Sequence, residues 1–233
     1  MSYKGNNILA VIPARGGSKG IPRKNLCEVD GLSLVARTVK IAKSLTWIDK
    51  VVLSTDDREI ADEGRKYGAE LPFLRPPELS GDFAPVVDTW RHAWLKAEEY
   101  FDQTFDVSIL LEPTSPFRKS KHIEKTFKKL VECSYDSVLT VSETDSKYHP
   151  LKQLVVENDC VGYYDNAGKD IFQRQQLTPV YHRNGVIYAV TRKCLVEQKT
   201  IIGSNASAVI IDEPLVNIDT KHDLMIAQFL MSG

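Results

Sequence analysis

The first strand and the first candidate site both fall within residues 8–25, Ile-Leu-Ala-Val-Ile-Pro-Ala-Arg-Gly-Gly-Ser-Lys-Gly-Ile-Pro-Arg-Lys-Asn. The opening apolar run, Ile8 to Ile12, is typical of a fully buried strand. Three glycines follow it, together with four cations, Arg15, Lys19, Arg23 and Lys24. Glycines let backbone N–H groups turn toward an anion, and the cations supply charge that an amide lacks. The stretch therefore indicates a strand that ends in a polyphosphate site, with a solvated basic turn as the alternative.

The composition excludes several classes of protein. The 233 residues suit one large domain, and 30 Lys and Arg against 31 Asp and Glu give a formal net charge of -1. This balance argues against a general nucleic-acid or membrane-surface binder. The sequence has neither an apolar signal-peptide core nor a run of roughly 18 apolar residues, so we expect a cytoplasmic protein. The four cysteines are far apart, which favours reduced thiols over metal ligands.

Strand and helix patterns alternate along most of the chain. Apolar runs predict further strands at Val51–Ser54, Val107–Leu111, Ser137–Val141, Val186–Val190 and Ala208–Ile211. Helical spacing predicts helices from Leu32 to Ala42, from Asp57 to near Gly68, from Pro85 to Phe101, up to about Glu132, and from a Thr220–Asp223 capping box onward. Such alternation argues for an α/β fold with a mostly parallel sheet and helices on both faces. Ligands of these sheets bind at the carboxyl ends of strands, which the candidate loops follow.

The segment from residue 142 to residue 184 breaks this alternation. It has no clear helix, only short strand-like pieces at Leu154–Val156 and Val161–Tyr164. A turn follows the second piece, and a polar run follows the turn. We interpret it as an arm (residues 142–184) that packs on a partner subunit, with an ordinary β-meander as the alternative. The chain is therefore expected to form one domain, residues 1–233, that carries a small β-rich arm.

Residues 14–25, here called the basic loop, resemble the signature of the acylneuraminate cytidylyltransferases, the CMP-sialic acid synthetases. Later blocks of that family are matched in order by Ser54-Thr55-Asp56, Arg75-Pro76 with Glu78-Leu79, Pro113-Thr114-Ser115-Pro116 with Arg118, His149-Pro150-Leu151-Lys152, Arg174-Gln175, Arg183-Asn184-Gly185 and Ile218-Asp219. The matches span nearly the whole chain. One block alone is weak, but the first block with the ordered set is specific.

The resemblance implies a Rossmann-like, GT-A-like nucleotidyltransferase fold with a β-rich dimerisation insertion. It implies transfer of CMP from CTP to the anomeric hydroxyl of a nine-carbon 2-keto sugar acid, with release of pyrophosphate; related enzymes act on the eight-carbon acid KDO. This chemistry needs charge neutralisation on the triphosphate, Mg²⁺ or another divalent cation, and a positioned hydroxyl. The product would be a CMP-activated sugar for lipopolysaccharide or capsule synthesis, made by a homodimer whose arms reach the partner's site.

On the nucleotide side, the resemblance assigns the triphosphate to Arg15 and Lys19, which are also expected to be catalytic, with help from Lys24. Arg can bridge two phosphate oxygens, whereas Lys acts as a mobile point charge. Arg75 matches an arginine that lines the family's nucleotide pocket, and its planar fork suits a pyrimidine edge. The full expected nucleotide set is Arg15, Gly17, Ser18, Lys19, Lys24, Asn25, Arg75, Ala84 and Val86.

Asp219 is expected to bind the metal and to be catalytic. The family commonly shows Asp-Ile-Asp here, whereas this chain has Asn217-Ile218-Asp219. Mg²⁺ takes one or two protein carboxylates and fills its shell with phosphate oxygens and water. The Asn217 amide oxygen can still ligate but brings no charge, so weaker or differently arranged metal binding is expected. In the alternative, Asp219 only caps the closing helix.

On the acceptor side, Arg174 matches the family's catalytic arginine and is expected to clamp the substrate carboxylate. Lys152 and Arg183 are weaker candidates for the same anion, and a polar surface is the alternative for all three. Glu112 is expected to face the sugar, where many members carry Gln. A carboxylate beside an anionic substrate is repulsive unless it pairs with a cation or points at hydroxyls, so this departure bears on the acceptor's identity. Val86 is a further departure, because a small polar residue is frequent there.

Three functions therefore compete. The first is cytidylyl transfer, with CTP and a sialic-acid-like acid as partners and without nucleic acid or membrane. The second keeps the fold but takes another sugar, such as KDO or a sugar phosphate, or another nucleoside triphosphate. The third is a catalytically idle nucleotide-binding homologue, which only Asn217 supports.

Overall fold

The computed structural model describes residue 3 and residues 5–232. The strands in this part are β1 (Ile8–Pro13), β2 (Glu28–Val29), β3 (Leu32–Ser33), β4 (Lys50–Ser54), β5 (Val107–Leu110), β6 (Ser137–Glu143), β7 (Leu154–Glu157), β8 (Cys160–Tyr163), β9 (Tyr181–Thr191) and β10 (Ala206–Ile210). Six of them form one sheet in the order β10-β6-β9-β5-β1-β4, while β2 pairs with β3 and β7 with β8. The predicted domain limits, residues 1 and 233, lie outside the described residues.

The large sheet is parallel except at one central strand. β1 runs parallel to β4 and β5, and β6 runs parallel to β10. β9 is antiparallel to both of its neighbours, β5 and β6. The mostly parallel sheet is confirmed, but the reversed strand was not predicted. β9 is reversed because the chain leaves β6 at Glu143, passes through the arm and returns at Tyr181, which pairs with Glu143.

Helices cover both faces of the sheet, as expected. They are α1 (Leu34–Lys43), α2 (Arg58–Lys66), α3 (Val86–Phe101), α4 (Ser120–Glu132) and α5 (Lys221–Met231). One core cluster includes Val39 of α1 and Phe127 of α4, and another includes Trp90 and Trp94 of α3. These side chains are almost fully buried, and each large apolar side chain buried in this way contributes roughly 1.5–3 kcal/mol. The sheet is therefore a firm frame for the loops at its carboxyl edge.

The helix ends follow local capping chemistry. The Asp57 carboxylate accepts a hydrogen bond from the Ile60 amide at 3.0 Å, so the predicted cap of α2 is confirmed. The predicted capping box of Thr220 and Asp223 at the start of α5 is also confirmed. α1 begins later than predicted, because Ser33 belongs to β3 and then caps the helix. Across the described residues, no helix is both long and apolar enough to span a bilayer.

The arm consists mainly of the β7–β8 hairpin and short 3-10 turns, and its predicted strand-like pieces are confirmed. At its base the Thr144 amide donates to the Val180 carbonyl at 2.9 Å. Val156 and Val161 pair across the hairpin and are 70% and 67% exposed. Apolar surface left open in this way is a candidate contact for another protein chain. A π-helical turn after β9, Lys193–Glu197, was not predicted.

Candidate active site

A cleft of about 550 Å³, here called the main cleft, opens at the carboxyl edge of the sheet. The loops after β1 and β5, the segment between α2 and α3 with the start of α3, and the segment before α5 meet there, where parallel sheets place their ligands. Its lining residues are Pro13, Arg15, Ser18, Lys19, Gly20, Lys24, Asn25, Arg75, Asp82, Phe83, Ala84, Val86, Thr89, Glu112, Pro113, Thr114 and Asp219. The structure thus brings together most of the predicted nucleotide residues with Glu112 and Asp219.

Two glycines let the basic loop pack closely against the rest of the site. A Cβ at Gly16 would lie 2.8 Å from the Cβ of Asp57, and a Cβ at Gly20 would collide with the Asp219 carbonyl oxygen. Gly17, a predicted nucleotide residue, has open space around it and does not line the main cleft; it borders an adjoining cleft of about 370 Å³ that shares Arg15 and Lys19 with the main one. Close packing therefore requires glycine at positions 16 and 20 but not at position 17.

Three cations of the basic loop line the main cleft, and each is paired with a carboxylate. Arg15 Nη2 lies 2.8 Å from Asp82 Oδ1, and Lys19 Nζ lies 2.7 Å from Asp82 Oδ2. Lys24 Nζ lies 2.9 Å from Asp219 Oδ1. Both carboxylates are partly exposed, so an anionic ligand entering the cleft has access to the same cations.

The other predicted residues of this loop have structural contacts. Asn25 is buried, and its side-chain amide donates to the Arg15 carbonyl at 2.9 Å, so it fixes the shape of the loop as well as lining the cleft. Arg23, the fourth cation of the basic loop, does not line the cleft. It pairs with Asp57 at 3.2 Å and with Glu59 at 2.8 Å, which anchors the loop to the start of α2.

Arg75 is buried and largely occupied by protein acceptors. Its Nε donates to Ser54 Oγ at 3.0 Å, its Nη2 donates to the Ser54 carbonyl, and Nη1 contacts the Leu79 carbonyl at 3.5 Å. Burial lowers the pKa of Arg75 to about 10, so the guanidinium is charged at neutral pH. Its bonds join the end of β4 to the segment that carries Ala84 and Val86, which border the same cleft.

Glu112 follows β5 and faces the beginning of β9. A Cβ at Gly185, where φ is +69°, would lie 2.9 Å from Glu112 Oε2, so glycine is needed there. Arg118, which is buried, donates to the carbonyls of Glu112 at 2.6 Å and of Val186 at 2.5 Å. Burial raises the pKa of Glu112, while the Arg118 charge opposes the shift and the Asp219 charge adds to it. Within the described chain no donor bonds its carboxylate, which leaves it open to hydroxyl groups of a ligand.

Asp219 lines the main cleft, whereas the neighbouring Asn217 lines the second cleft described below. Asn217 Nδ2 lies 3.5 Å from Asp219 Oδ2. The alternative in which Asp219 caps the closing helix is wrong, because the Thr220 hydroxyl is the cap of α5. The described residues contain no group of three or more His, Cys, Asp or Glu that could hold a metal. One carboxylate and one amide oxygen still fit Mg²⁺, provided that phosphate oxygens and water complete its shell.

A second cleft, of about 620 Å³, contains Arg183 and Asn217, which do not line the main cleft. Gly185 lies between the two clefts, since a Cβ there would be 3.7 Å from Asn217 Nδ2 and would also contact the main cleft's Glu112. Asn184 also lines the second cleft and was not predicted as a site residue. Its amide is held by hydrogen bonds with the hydroxyls of Thr140 (2.6 Å) and Ser142 (3.1 Å). The sequence feature that could have identified Asn184 as a site residue is its position next to Arg183 in the family block Arg183-Asn184-Gly185.

Lys152 and Arg174 lie exposed on the arm and line neither cleft. The physical reason is the path of the chain, because the arm is an excursion between β6 and β9. Within one chain, therefore, the predicted clamp for the substrate carboxylate is not part of the main cleft. Its action on a partner's cleft stays a prediction.

Both the sequence and the fold are similar to those of known proteins. A family model described as Cytidylyltransferase matches residues 9–222. A CMP-N,N'-diacetyllegionaminic acid synthase of Legionella pneumophila is 32% identical over 230 residues, which cover 96% of each chain. A pseudaminic acid cytidylyltransferase of Campylobacter jejuni is 32% identical over 224 residues, which cover 95% of each. A solved CMP:2-keto-3-deoxy-manno-octonic acid synthetase complexed with CTP has a TM-score of 0.69 and 16% identity, over 97% of this chain and 98% of that chain, which shows a shared fold.

Proposed function

Because the chain belongs to the cytidylyltransferase family and is a nucleotidyltransferase, we propose that it transfers CMP from CTP to the anomeric hydroxyl of a sialic-acid-like 2-keto sugar acid. Pyrophosphate would be the second product. One observation carries the proposal: Arg15, Lys19 and Lys24 converge in the main cleft at the carboxyl edge of the sheet. Three cations at one edge suit a triphosphate better than a neutral substrate.

The residues of the main cleft would supply the charge that the reaction needs. In an in-line substitution at the α-phosphorus, the departing pyrophosphate carries the negative charge away. Arg15 and Lys19 lie within 2.8 Å of a carboxylate, at positions where phosphate oxygens could replace it. Fixed cations at the place where charge develops lower the barrier, because they need no reorganisation during the reaction.

Asp219 and Asn217 would hold Mg²⁺ or another divalent cation together with phosphate oxygens. When bound, the cation would neutralise charge on the triphosphate and help to orient it. Because Asn217 brings no charge, tight metal binding would require the nucleotide. The ion pair with Lys24 would hold the Asp219 carboxylate at the cleft before the nucleotide arrives.

Glu112 and the second cleft would form the acceptor side. The Glu112 carboxylate would accept hydrogen bonds from sugar hydroxyls, and Arg183 in the neighbouring cleft would attract the acid group. The names of the relatives, a diacetyllegionaminic acid synthase and a pseudaminic acid cytidylyltransferase, support an acceptor of this class.

The active species would be a homodimer in which the arm of one subunit brings Arg174 and Lys152 to the main cleft of the other. Both cations are exposed on the arm and line neither cleft of their own chain. The exposed apolar side chains of the hairpin, such as Val156 and Val161, support a contact between subunits.

The reaction would take place in the cytoplasm. All four cysteines are unpaired, which fits a reducing compartment. The CMP-activated sugar would then serve the synthesis of a surface glycan, such as lipopolysaccharide or capsule.

A second candidate function is transfer to another acceptor, such as KDO or a sugar phosphate, or transfer from another nucleoside triphosphate. The Glu112 carboxylate favours this second candidate. Many members of the acylneuraminate cytidylyltransferase family carry a glutamine at this position, and a carboxylate beside the acceptor favours a different ligand from the one that a neutral amide favours. The arrangement of the three cations is compatible with either acceptor.

A pyrophosphate-release screen separates these functions. The purified chain is given CTP, UTP, GTP or ATP with Mg²⁺ and with sialic, legionaminic, pseudaminic or KDO acceptors. We expect release only with CTP and a nine-carbon acid. Release only with GTP or UTP would overturn the proposal, and release only with KDO would establish the second candidate. CTP binding without turnover on any acceptor would identify an idle homologue.

A further inference from the structure

Asp82 is the counter-ion of the two cations at the mouth of the main cleft. Each of its carboxylate oxygens contacts one of them, Arg15 Nη2 at 2.8 Å and Lys19 Nζ at 2.7 Å. Phe83 extends this contact, because Lys19 Nζ also lies 5.7 Å from the centre of its exposed ring. A carboxylate bound by two cations at separate oxygens occupies them in the manner of a phosphate group.

The segment that carries Asp82 is held mainly at its two ends. Before it, the Leu79 carbonyl accepts from the Thr89 hydroxyl at 3.3 Å, and after it Pro85 precedes α3. Between these anchors, the Ala84 amide donates to the Gly81 carbonyl at 3.2 Å in a single turn. A Cβ at Gly81 would meet no atom within 4 Å, so no other part of the described chain packs against the turn at that point. The carboxylate can therefore leave both cations while the anchors stay in place.

We infer that Asp82 competes with phosphate for Arg15 and Lys19: CTP displaces its carboxylate on binding, and the carboxylate pairs again with both cations as pyrophosphate leaves. No covalent step is involved, because one ionic partner replaces another. This role rests on the proposed function, since it concerns the same two cations. In this role Asp82 is a positioning residue that speeds the release of pyrophosphate and weakens the binding of CTP.

The exposure of the pairs sets the strength of this competition. The side chains of Arg15 and Asp82 are each 31% exposed and that of Lys19 is 75% exposed, so water screens both contacts. Exposed ion pairs are individually weak, and a triphosphate that carries more charge than one carboxylate can replace them. The same two cations hold the pKa of Asp82 below its ordinary value, so the competitor is ionised throughout the neutral range.

A purely structural role for Asp82 predicts the opposite result. If the carboxylate only arranged Arg15 and Lys19 for the ligand, its removal would let them separate and would weaken the binding of every phosphate. If it competes, its removal frees both cations and strengthens that binding. The sign of the change in affinity therefore decides between the two roles.

The test uses calorimetric titration of the full chain with pyrophosphate and with CTP, comparing wild type with Asp82→Asn. We expect the dissociation constants of both ligands to fall about three- to tenfold in the variant. In turnover assays, pyrophosphate should become a stronger product inhibitor, and the KM for CTP should fall together with kcat. Asp82→Glu, which keeps a competing carboxylate, should remain close to wild type.

Asp88→Asn is the matched control, because it removes the same charge from an exposed position at the start of α3, outside the cleft lining. It should leave both dissociation constants unchanged. Unchanged or weaker binding in Asp82→Asn would overturn the competing role while leaving the proposed function intact. Failure of wild type to bind either CTP or pyrophosphate would overturn both.

Discussion

Lys24 Nζ lies 2.9 Å from Asp219 Oδ1, so an ion pair joins two residues that are 195 positions apart in the chain. Lys24 belongs to the basic loop after β1, and Asp219 precedes α5. The Lys24 side chain is only 16% exposed, whereas that of Asp219 is 67% exposed, so the carboxylate remains open to a cation from solvent. The proposed triphosphate residues and the proposed metal ligand therefore form one site.

Asp219→Ala should abolish metal-dependent turnover. Loss of the only carboxylate in the Asn217–Asp219 pair removes charge stabilisation of several kcal/mol, so we expect kcat to fall at least about a hundredfold. Electron paramagnetic resonance should show Mn²⁺ binding to wild type with CTP and not to the variant. Asp62→Asn is the control for net charge, because it removes one negative charge from an exposed side chain that pairs only with Arg65 among the described residues. Unchanged Mn²⁺ binding in Asp219→Ala would remove Asp219 from the metal site.

Arg15→Ala should raise the KM for CTP and slow turnover by at least about tenfold, which corresponds to roughly 1.4 kcal/mol. The physical reason is the loss of a cation that can bridge two phosphate oxygens. Arg23→Ala is the matched control, since Arg23 belongs to the same loop but pairs with Asp57 and Glu59 outside the cleft. Steady-state kinetics with CTP test both variants. Equal effects of the two substitutions would show that the basic loop acts only through its general charge.

Gly185→Ala should damage the acceptor side as well as the fold. Gly185 and Gly31 both have positive φ, +69° and +67°, so alanine costs about 1–2 kcal/mol at either position. Only at Gly185 does the new Cβ also meet a neighbour, Glu112 Oε2 at 2.9 Å. Gly185→Ala should therefore raise the acceptor KM, while Gly31→Ala should lower only the melting temperature. A normal acceptor KM in Gly185→Ala would contradict the placement of Glu112 beside the sugar.

The stability of the protein should carry a pH-dependent contribution from Glu112. Burial raises the pKa of Glu112 above 4.5, so the folded protein holds this proton more tightly than the unfolded chain does. The contribution of this group to the free energy of unfolding therefore falls as pH rises from about 4.5 through the folded-state pKa. The Glu112→Gln variant has no ionisable group at this position, so its free energy of unfolding does not decrease with pH for this reason. Melting curves across pH should show the variant gaining on wild type toward neutral pH, and a constant difference would refute the shift.

The homodimer can be tested by complementation. Arg174→Ala should inactivate the enzyme because the arm loses its cation, and Asp219→Ala should inactivate it because the main cleft loses its carboxylate. When the two variants are co-expressed, about half of the dimers are mixed, and one of their two sites is intact, so about a quarter of wild-type activity should return. Sedimentation should show a dimer of the 26.2 kDa chain. A monomer at micromolar concentration, or a mixture no more active than its components, would contradict the shared site.

Much of the fold was predictable because it depends on local patterns. The apolar run from Ile8 to Ile12 and the capping box of Thr220 and Asp223 are signals formed by adjacent residues, and the structure has a buried strand and a helix start at these places. The direction of β9 was not predictable, because periodicity shows that a strand exists but not where the chain re-enters the sheet. Its direction follows from the return of the arm at Tyr181.

The candidate site divides in the same way. Arg15 and Asp219 could be predicted to lie at one site because each is in a recognisable block that follows a strand or precedes a helix, and both line the main cleft. Asp82 was missed, because its role depends on a contact with Arg15 across 67 positions, which only the folded chain creates. Arg174 also lies in a family block, yet within one folded chain it is on the arm and outside the main cleft, because a block match does not show where the arm lies relative to the cleft.

The activity proposed for this chain joins CMP to a sugar acid. Phosphorus-31 NMR of a single reaction containing the chain, Mg²⁺, CTP and diacetyllegionaminic or pseudaminic acid tests it most directly. We predict that the three CTP signals decline while pyrophosphate and one new phosphodiester signal rise in equal amounts. Persistence of the CTP signals with every sugar acid, or release of pyrophosphate with free CMP and no phosphodiester, would contradict the claim.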